Sequence, residues 1–157
     1  YISPGKASIT ISRKDGMAYL EFKTPLRNIG QTPAYLRKYK NFEKMGIVNG
    51  ASQFTPNDDV IISPNSEFSP IGKAGVKFET SKKMEFDCTV AMLFTYADYM
   101  GTEYTEIIIW VGHDITLHAM EGVFDLHLLS QTPGPQGEWQ WSDGVGAVAR
   151  QSQKRRD

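Results

Sequence analysis

The side chains best suited to bind a metal ion are the histidines and nearby carboxylates late in the chain. They are His113, Asp114, His118, Asp125 and His127. Residues 113 and 118 are an odd number of positions apart, so on an extended strand their side chains point to opposite faces. Asp125 and His127 share a face, but a structural zinc site needs four ligands. We therefore expect structural or surface roles for these residues and no metal.

The single cysteine could act as a nucleophile if one of those histidines approached it. Cys88 lies in the apolar run from Phe86 to Phe94, however, where a cysteine is usually a small buried side chain with a protonated thiol. The sequence has no G-x-S-x-G elbow, no phosphate-binding glycine loop and no C-x-x-C pair. We therefore predict that the protein is not an enzyme and uses no cofactor.

Aromatic and arginine side chains are the best candidates for contact with another protein, because these residue types dominate interface hot spots. On one extended segment, Tyr35, Arg37 and Tyr39 would lie on the same face. Trp139 and Trp141 are also two positions apart and could present parallel rings to a partner, or they could instead close the core. These five residues form the predicted partner-binding set.

The elements that would position these side chains are short β-strands. Ile9 and Ile11 alternate with Ser and Thr, and the run Met17–Lys23 follows after a turn at Asp15–Gly16, which predicts a hairpin. A second hairpin is predicted from two long apolar runs, with Gly101 in a left-handed conformation at its turn and Trp110 in the core. Those runs cover residues 84–96 and 103–111, and the first is expected to be covered on both faces.

Further strands are predicted over residues 34–42, 60–62, 76–79 and 123–129, and loops over 45–59, 63–75 and 131–137. Short strands at intervals of about ten residues predict an all-β fold, and the first choice is an immunoglobulin-like antiparallel β-sandwich of seven or more strands. We expect a single domain over residues 1–149 and a polar, disordered tail over 150–157.

The stretch RNIGQTPAY, residues 27 to 35, predicts a turn between two strands. Gly30 can adopt positive φ, Pro33 disfavours a helical conformation at Thr32, and the Asn28 side chain can close a turn. We expect the chain to reverse direction here.

The net charge of −1 conceals a segregation of charge along the chain. Residues 1–50 carry nine Lys or Arg and three Asp or Glu (+6), residues 51–149 carry four and fourteen (−10), and residues 150–157 carry four and one (+3). Neighbouring strands of a sandwich can pair such segments, and the basic residues are not interleaved with aromatics, so we expect no nucleic-acid partner. No apolar run is long enough to span a bilayer. The first residues carry no leader, so we expect either a cytosolic protein or an excised or processed portion of a longer one, and the lack of a starting Met favours the second.

Two patches resemble those of one protein family. The turn Asn28–Tyr35 resembles the N-x-G-x-T-P-A-Y turn of uncharacterised bacterial membrane-anchored proteins, in which a hydrophobic anchor precedes an extracytoplasmic immunoglobulin-like sandwich. The stretch TYADYMGTEY is similar to their Y-x-D-x-x-G hairpin, matched here by Tyr96, Asp98 and Gly101. The resemblance covers residues 5–112 and implies no substrate or cofactor; this chain adds residues 113–157 and lacks the anchor.

These observations predict a non-catalytic protein-recognition or assembly module, periplasmic or at the cell surface, whose attachment to the membrane would require an anchor outside this chain. The alternative is a structural subunit, such as a coat or filament protein, that polymerises through its sandwich edges. The run Glu106–Val111 has high β-propensity, so we expect it to be covered or paired with a partner.

Overall fold

The computed structural model describes residues 1–45, 49–54, 60–77, 85–116 and 122–134. All regular structure in these ranges is β-strand. The strands are β1 (Ile2–Pro4), β2 (Ser8–Lys14), β3 (Met17–Lys23), β4 (Leu26–Asn28), β5 (Ala34–Met45), β6 (Asn49–Phe54), β7 (Val60–Ile62), β8 (Glu67–Phe68), β9 (Ile71–Lys77), β10 (Glu85–Ala97), β11 (Glu103–Thr116), β12 (Gly122–Asp125) and β13 (His127–Pro133).

A four-stranded antiparallel sheet has the order β12-β2-β3-β9. Its β2–β3 hairpin turns through Asp15 and Gly16, whose φ angles are 53° and 77°. Two successive positive φ angles are typical of a tight turn whose twist matches that of the strands. The predicted hairpin is confirmed, and its alternation buries one face, formed by Ile9, Ile11, Ala18, Leu20 and Phe22.

A six-stranded antiparallel sheet has the order β13-β11-β10-β5-β6, and β7 also pairs with β5. Its centre is the predicted hairpin β10–β11, which pairs continuously from Ala97–Glu103 to Glu85–Thr116 apart from one bulge. Gly101 has a φ of 84°, as expected for its turn. One face of these two strands carries Val90, Met92, Phe94, Ile108 and Trp110, all buried.

The two sheets pack face to face, because their buried faces belong to one hydrophobic cluster. A third sheet, in the order β1-β4-β8, contributes Ile2 and Leu26 to the same cluster. Burial of each such side chain stabilises the fold by about 1.5–3 kcal/mol relative to exposure. The all-β antiparallel sandwich predicted from the sequence is therefore confirmed.

The opposite face of the six-stranded sheet is also buried. Its second cluster consists of Phe42, Ala91, Leu93, Ile107 and Ile109. The central strand β10 is thus covered on both faces, as its apolar run predicts. The run Glu106–Val111 is paired within the chain, with β10 on one side and β13 on the other.

Four sequence predictions about strands and loops are wrong: the loops 45–59 and 63–75, the loop 131–137, whose first three residues belong to β13, and the single strand 123–129. Strand β6 lies within predicted loop 45–59, and β8 and most of β9 lie within predicted loop 63–75. Residues 123–129 are not one strand, because the chain changes sheets at buried Leu126: β12 pairs with β2, and β13 pairs with β11. The N–H of Leu126 donates a hydrogen bond to the carbonyl of Ala7 (2.9 Å), which fixes the crossing point.

Candidate partner-binding surface

The predicted set Tyr35, Arg37 and Tyr39 does not share one face of β5. Leu36 pairs with Tyr96 and Lys38 pairs with Thr95, so Arg37 is an extra residue on β5. Such a bulge shifts the alternation by one position. Odd-numbered residues before Arg37 therefore point to one face of the sheet, and odd-numbered residues after it point to the other. The predicted common face of Tyr35, Arg37 and Tyr39 is wrong.

Tyr39, which follows the bulge, lies on the core-facing side of β5. It pairs with Phe94, packs against the main core cluster, and its ring meets that of Phe68 edge to face at a centroid distance of 5.9 Å. Burial raises the pKa of its hydroxyl. Tyr39 is therefore a rim residue of the core, whereas Tyr35, paired with Ala97, belongs to the outer face.

Arg37 forms an ion pair with Glu103, at the first position of β11. Both side chains are about half exposed, so the pair contributes little to stability and mainly orients the guanidinium. It also joins the basic first segment to the acidic second segment, as does the pair Lys6–Asp125 at 3.5 Å. Ion pairs between the two charge segments are thus observed at these positions, although β10 lies between the strands of Arg37 and Glu103.

Three candidate residues, Trp139, Trp141 and His118, lie outside the described residues, as does the predicted tail 150–157.

The two sequence motifs Asn28–Tyr35 and Thr95–Tyr104 meet at one end of the sandwich. Tyr35, which ends the first motif, pairs with Ala97 in the second and with Ile61 of β7. Strand β5 begins at this end, β10 ends there and β11 begins there. The β4–β5 turn and the β10–β11 hairpin are therefore neighbours in space, although about 60 residues separate them in the sequence.

Asn28 organises the β4–β5 turn. Its Oδ1 accepts a hydrogen bond from the N–H of Gly30 (2.9 Å), and its Nδ2 donates to the carbonyls of Thr32 (2.8 Å) and Ile62 (2.9 Å). The side chain is fully buried, so the predicted turn closure by Asn28 is confirmed. Gly30 is not among the residues with positive φ; instead, a Cβ at this position would lie 2.9 Å from the Tyr1 nitrogen, so the glycine permits close approach.

Asp98 organises the β10–β11 turn in the same way. Its Oδ1 accepts hydrogen bonds from the N–H groups of Met100 and Thr102, both at 2.9 Å, and its Oδ2 accepts one from the Tyr104 hydroxyl (3.3 Å). Both turns are thus held by a short polar side chain, which limits their conformational freedom.

Exposed apolar side chains are concentrated on these two turns and on the strand residues next to them. Tyr99 is 67% exposed and Met100 is 74% exposed, both at the hairpin tip. We define the aromatic end as Ile29, Tyr35, Ile61, Tyr99, Met100 and Tyr104. Among the described residues, five of the eleven exposed large apolar side chains belong to it. A contiguous apolar patch on a protein surface often marks an interaction site, whereas single scattered apolar residues do not.

The aromatic end is continuous with the core through stacked rings. The ring of Tyr104 stacks on that of Tyr96 with a centroid distance of 5.3 Å, and Tyr96 stacks on Phe94 at 5.9 Å. Burial, together with the nearby Glu106 and Tyr104, raises the pKa of Tyr96 to about 12. This column anchors the base of the hairpin, while Tyr99 and Met100 project beyond it.

The histidine and carboxylate candidates do not converge. No group of three or more His, Cys, Asp or Glu side chains among the described residues is arranged to hold a metal ion. His113 lies 3.7 Å from Asp87, whose carboxylate also accepts the N–H of Asp114 (3.0 Å), and Asp125 pairs with Lys6. These contacts are local to the surface.

Cys88 is buried in the main core cluster, as expected. Burial raises the pKa of its thiol to about 12, so the thiol is protonated at neutral pH. A protonated, buried thiol is a poor nucleophile. Trp110 is likewise in the core, as expected.

Sequence reasoning did not identify five residues of the aromatic end, Ile29, Ile61, Tyr99, Met100 and Tyr104. A usable signal was present for two of them, because Tyr99 and Met100 stand at a hairpin tip where small polar residues are usual. Ile61 carried no such signal, since it sits in a short apolar strand.

In the described ranges the structure has no helix long and apolar enough to cross a membrane. No protein-family model matches the sequence, and no curated protein matches it either.

Comparison with solved structures gives matches at very low sequence identity. The chain is similar to a Northeast Structural Genomics Consortium target, SoR45, with 8% identity and a TM-score of 0.51 over 88% of this chain and 92% of that one. A protein designated ApaA from Bordetella pertussis gives 8% identity and a TM-score of 0.49 over 79% and 92% of the two chains. A protein from Archaeoglobus fulgidus gives 14% identity and a TM-score of 0.41 over 81% and 100%. The likeness to SoR45 supports the β-sandwich fold alone.

Proposed function

We propose that the protein is a non-catalytic recognition module that binds a protein partner through its aromatic end. The observation that carries this proposal is the gathering of exposed apolar side chains on two neighbouring turns. Tyrosine is enriched at interface hot spots, where it supplies a large contact area and a hydroxyl group.

The hydrogen bonds that hold the two turns support the same proposal. Asn28 and Asp98 each make three hydrogen bonds that hold their turns. A surface that is ordered before binding loses less conformational entropy when the partner docks. The aromatic end therefore meets two requirements of a binding surface, apolar area and preorganisation.

A photo-crosslinking experiment tests this surface. A photoreactive amino acid at position 99 should capture a partner in the producing cell, whereas the same residue at Tyr19, which is also exposed but lies on the four-stranded sheet, should not. With the captured partner purified, the double variant Tyr99→Thr/Met100→Thr should weaken binding at least about tenfold. The control variant Tyr19→Thr/Val123→Thr should leave the affinity unchanged. Equal capture at both positions, or equal affinity of both variants, would contradict the proposal.

We also propose a periplasmic or cell-surface location, attached to the membrane through an anchor on the full-length protein. The support is the resemblance of the turn Asn28–Tyr35 and of the β10–β11 hairpin to extracytoplasmic domains. Protease treatment of intact cells and of spheroplasts tests the location. Protection of the domain in intact spheroplasts would contradict it.

The second candidate function is that of a structural subunit that associates through a sandwich edge. Among the described strands, β13 stands last in the order of the six-stranded sheet, with Leu128 more than half exposed and no Asp, Glu, Lys or Arg along its length. Edge strands in monomeric proteins usually carry charges that oppose pairing. Light scattering over a range of concentrations decides between the candidates. Assemblies that grow with concentration in the wild type, and that the Leu128→Lys variant does not form, would favour the structural subunit.

A further inference from the structure

Three polar side chains inside the sandwich have polar atoms without a hydrogen-bond partner in the described structure. They are Asn41 (0% exposed), Glu43 (4%) and Trp110 (1%). The atoms concerned are Oδ1 of Asn41, Oε1 of Glu43 and Nε1 of Trp110. We call these three residues the polar row.

The strand register places the polar row on one face of the six-stranded sheet. Glu43 pairs with Val90, and Val90 pairs with Trp110. Two strand spacings separate Glu43 from Trp110, so their Cα atoms lie about 10 Å apart. Asn41 is two residues from Glu43, hence on the same face and about 7 Å along the strand.

This face is directed toward the interior of the sandwich. Val90 and Trp110 belong to the main core cluster, and Asn41 Nδ2 donates to the hydroxyl of Thr24, a buried residue that follows β3 in the facing sheet (3.3 Å). The bulge at Arg37 turns the side chains of Asn41 and Glu43 toward the core. Without this extra residue they would lie on the outer face of the sheet, as Tyr35 does.

Native proteins leave few buried polar atoms unpaired, because each loses its hydrogen bonds to water without replacement. Apolar residues at positions 41 and 43 would serve packing better, and the neighbouring positions Val90, Met92 and Ile108 are apolar. Packing therefore gives no account of an amide, a carboxyl and an indole N–H in one row.

We propose that the polar row is an internal binding site for a small amphipathic amine. The ammonium group would donate to Asn41 Oδ1 and Glu43 Oε1, and an acceptor oxygen a few carbons away would receive the N–H of Trp110. The apolar side chains of the neighbouring positions suit the carbon chain between them.

The electrostatics of Glu43 agree with a cationic ligand. Burial raises its pKa to about 7, opposed by a hydrogen bond from its own backbone N–H, and no basic side chain enters among the causes. Other titratable groups also occupy core-facing positions: the thiol of Cys88, the hydroxyls of Tyr39 and Tyr96 and the Glu106 carboxyl on the six-stranded sheet, and the Arg13 guanidinium on the facing sheet. The causes of the Glu43 shift include neither Arg13 nor any other basic group.

Nuclear magnetic resonance of the whole chain tests the site, with aminobutanol as the probe and butanediol as the matched compound without an amine. At about pH 8, above the pKa of Glu43, aminobutanol should shift the Trp110 indole N–H signal saturably, and butanediol should not. That signal is identified by its loss in Trp110→Phe. Glu43→Gln should weaken binding at least about tenfold, since a charge-assisted bond is lost, while Glu21→Gln on the exposed sheet face should not.

A crystal of the protein soaked in aminobutanol provides the second measurement, independent of any variant. Density for the probe between the three atoms supports the site. Water alone in that position, no saturable shift with aminobutanol, or equal binding by the wild type and Glu43→Gln would overturn the proposal.

Discussion

Ala97 lies directly opposite Tyr35 in the six-stranded sheet, and this pair joins the stretch Asn28–Tyr35 to the β10–β11 hairpin. The β4–β5 turn precedes Tyr35 and the β10–β11 turn follows Ala97. One pair of strands therefore places both turns at the same end. The aromatic end exists because of this register.

Replacement of Asn28 by Ala should destabilise the protein strongly. The variant loses three hydrogen bonds and leaves the buried carbonyl of Ile62 without this donor, so we expect a loss of about 2–4 kcal/mol in the free energy of unfolding. Urea denaturation measures it. Gln31→Ala, an exposed position in the same turn, should change stability by less than about 0.5 kcal/mol. Similar losses in both variants would show that Asn28 does not hold the turn.

The second buried cluster should contribute as strongly as an ordinary core. Leu93 is fully buried on the face opposite the main core, so Leu93→Ala should cost about 2–5 kcal/mol. Leu128→Ala, at an exposed position of β13, should cost far less. A cost below about 1 kcal/mol for Leu93→Ala in thermal or urea unfolding would mean that this face is not buried in solution.

Cys88 should resist thiol reagents while the protein is folded. Its thiol is buried, with a pKa raised to about 12, and only the thiolate reacts. Ellman's reagent at neutral pH should label it at the rate of protein opening, and immediately in strong denaturant. Rapid labelling of the folded protein would place Cys88 outside the core.

The sandwich and its two main hairpins were predictable because period-two alternation and turn residues are local signals. Ile9 and Ile11 alternate with polar residues, and Asp15–Gly16 supplies the turn. The bulge at Arg37 was not predictable, since it depends on how β5 pairs with Tyr96 and Thr95, which are remote in sequence. That single extra residue sends Tyr39 to the core side and makes Asn41 and Glu43 core-facing.

The sheet change at Leu126 was hidden for a similar reason. The stretch VFDLHLL reads as one continuous strand, yet its two halves pair with β2 and β11, in different sheets. Exposed residues such as Ile61 also carry no local mark of function. Ile61 becomes part of the aromatic end only because strand pairing places it opposite Tyr35.

Glu43 should make the protein less stable as the pH rises from acid to neutral. Its folded pKa is raised to about 7 from an ordinary value of 4.5, so the folded state holds its proton more tightly than the unfolded state. Stability is therefore fullest below about pH 4.5 and falls as the pH rises to about 7, by roughly 3 kcal/mol in total. Cys88 remains protonated over this range and does not contribute.

Glu43→Gln removes the titration while keeping the shape of the side chain. Its advantage over the wild type in urea unfolding should therefore grow by roughly 2 kcal/mol between about pH 5 and about pH 8. Glu21→Gln, on an exposed face, is the matched control and should show no such growth. A constant difference between Glu43→Gln and the wild type across this range would mean that the Glu43 carboxyl is solvated, and the inward direction that the bulge at Arg37 gives to it would then be wrong.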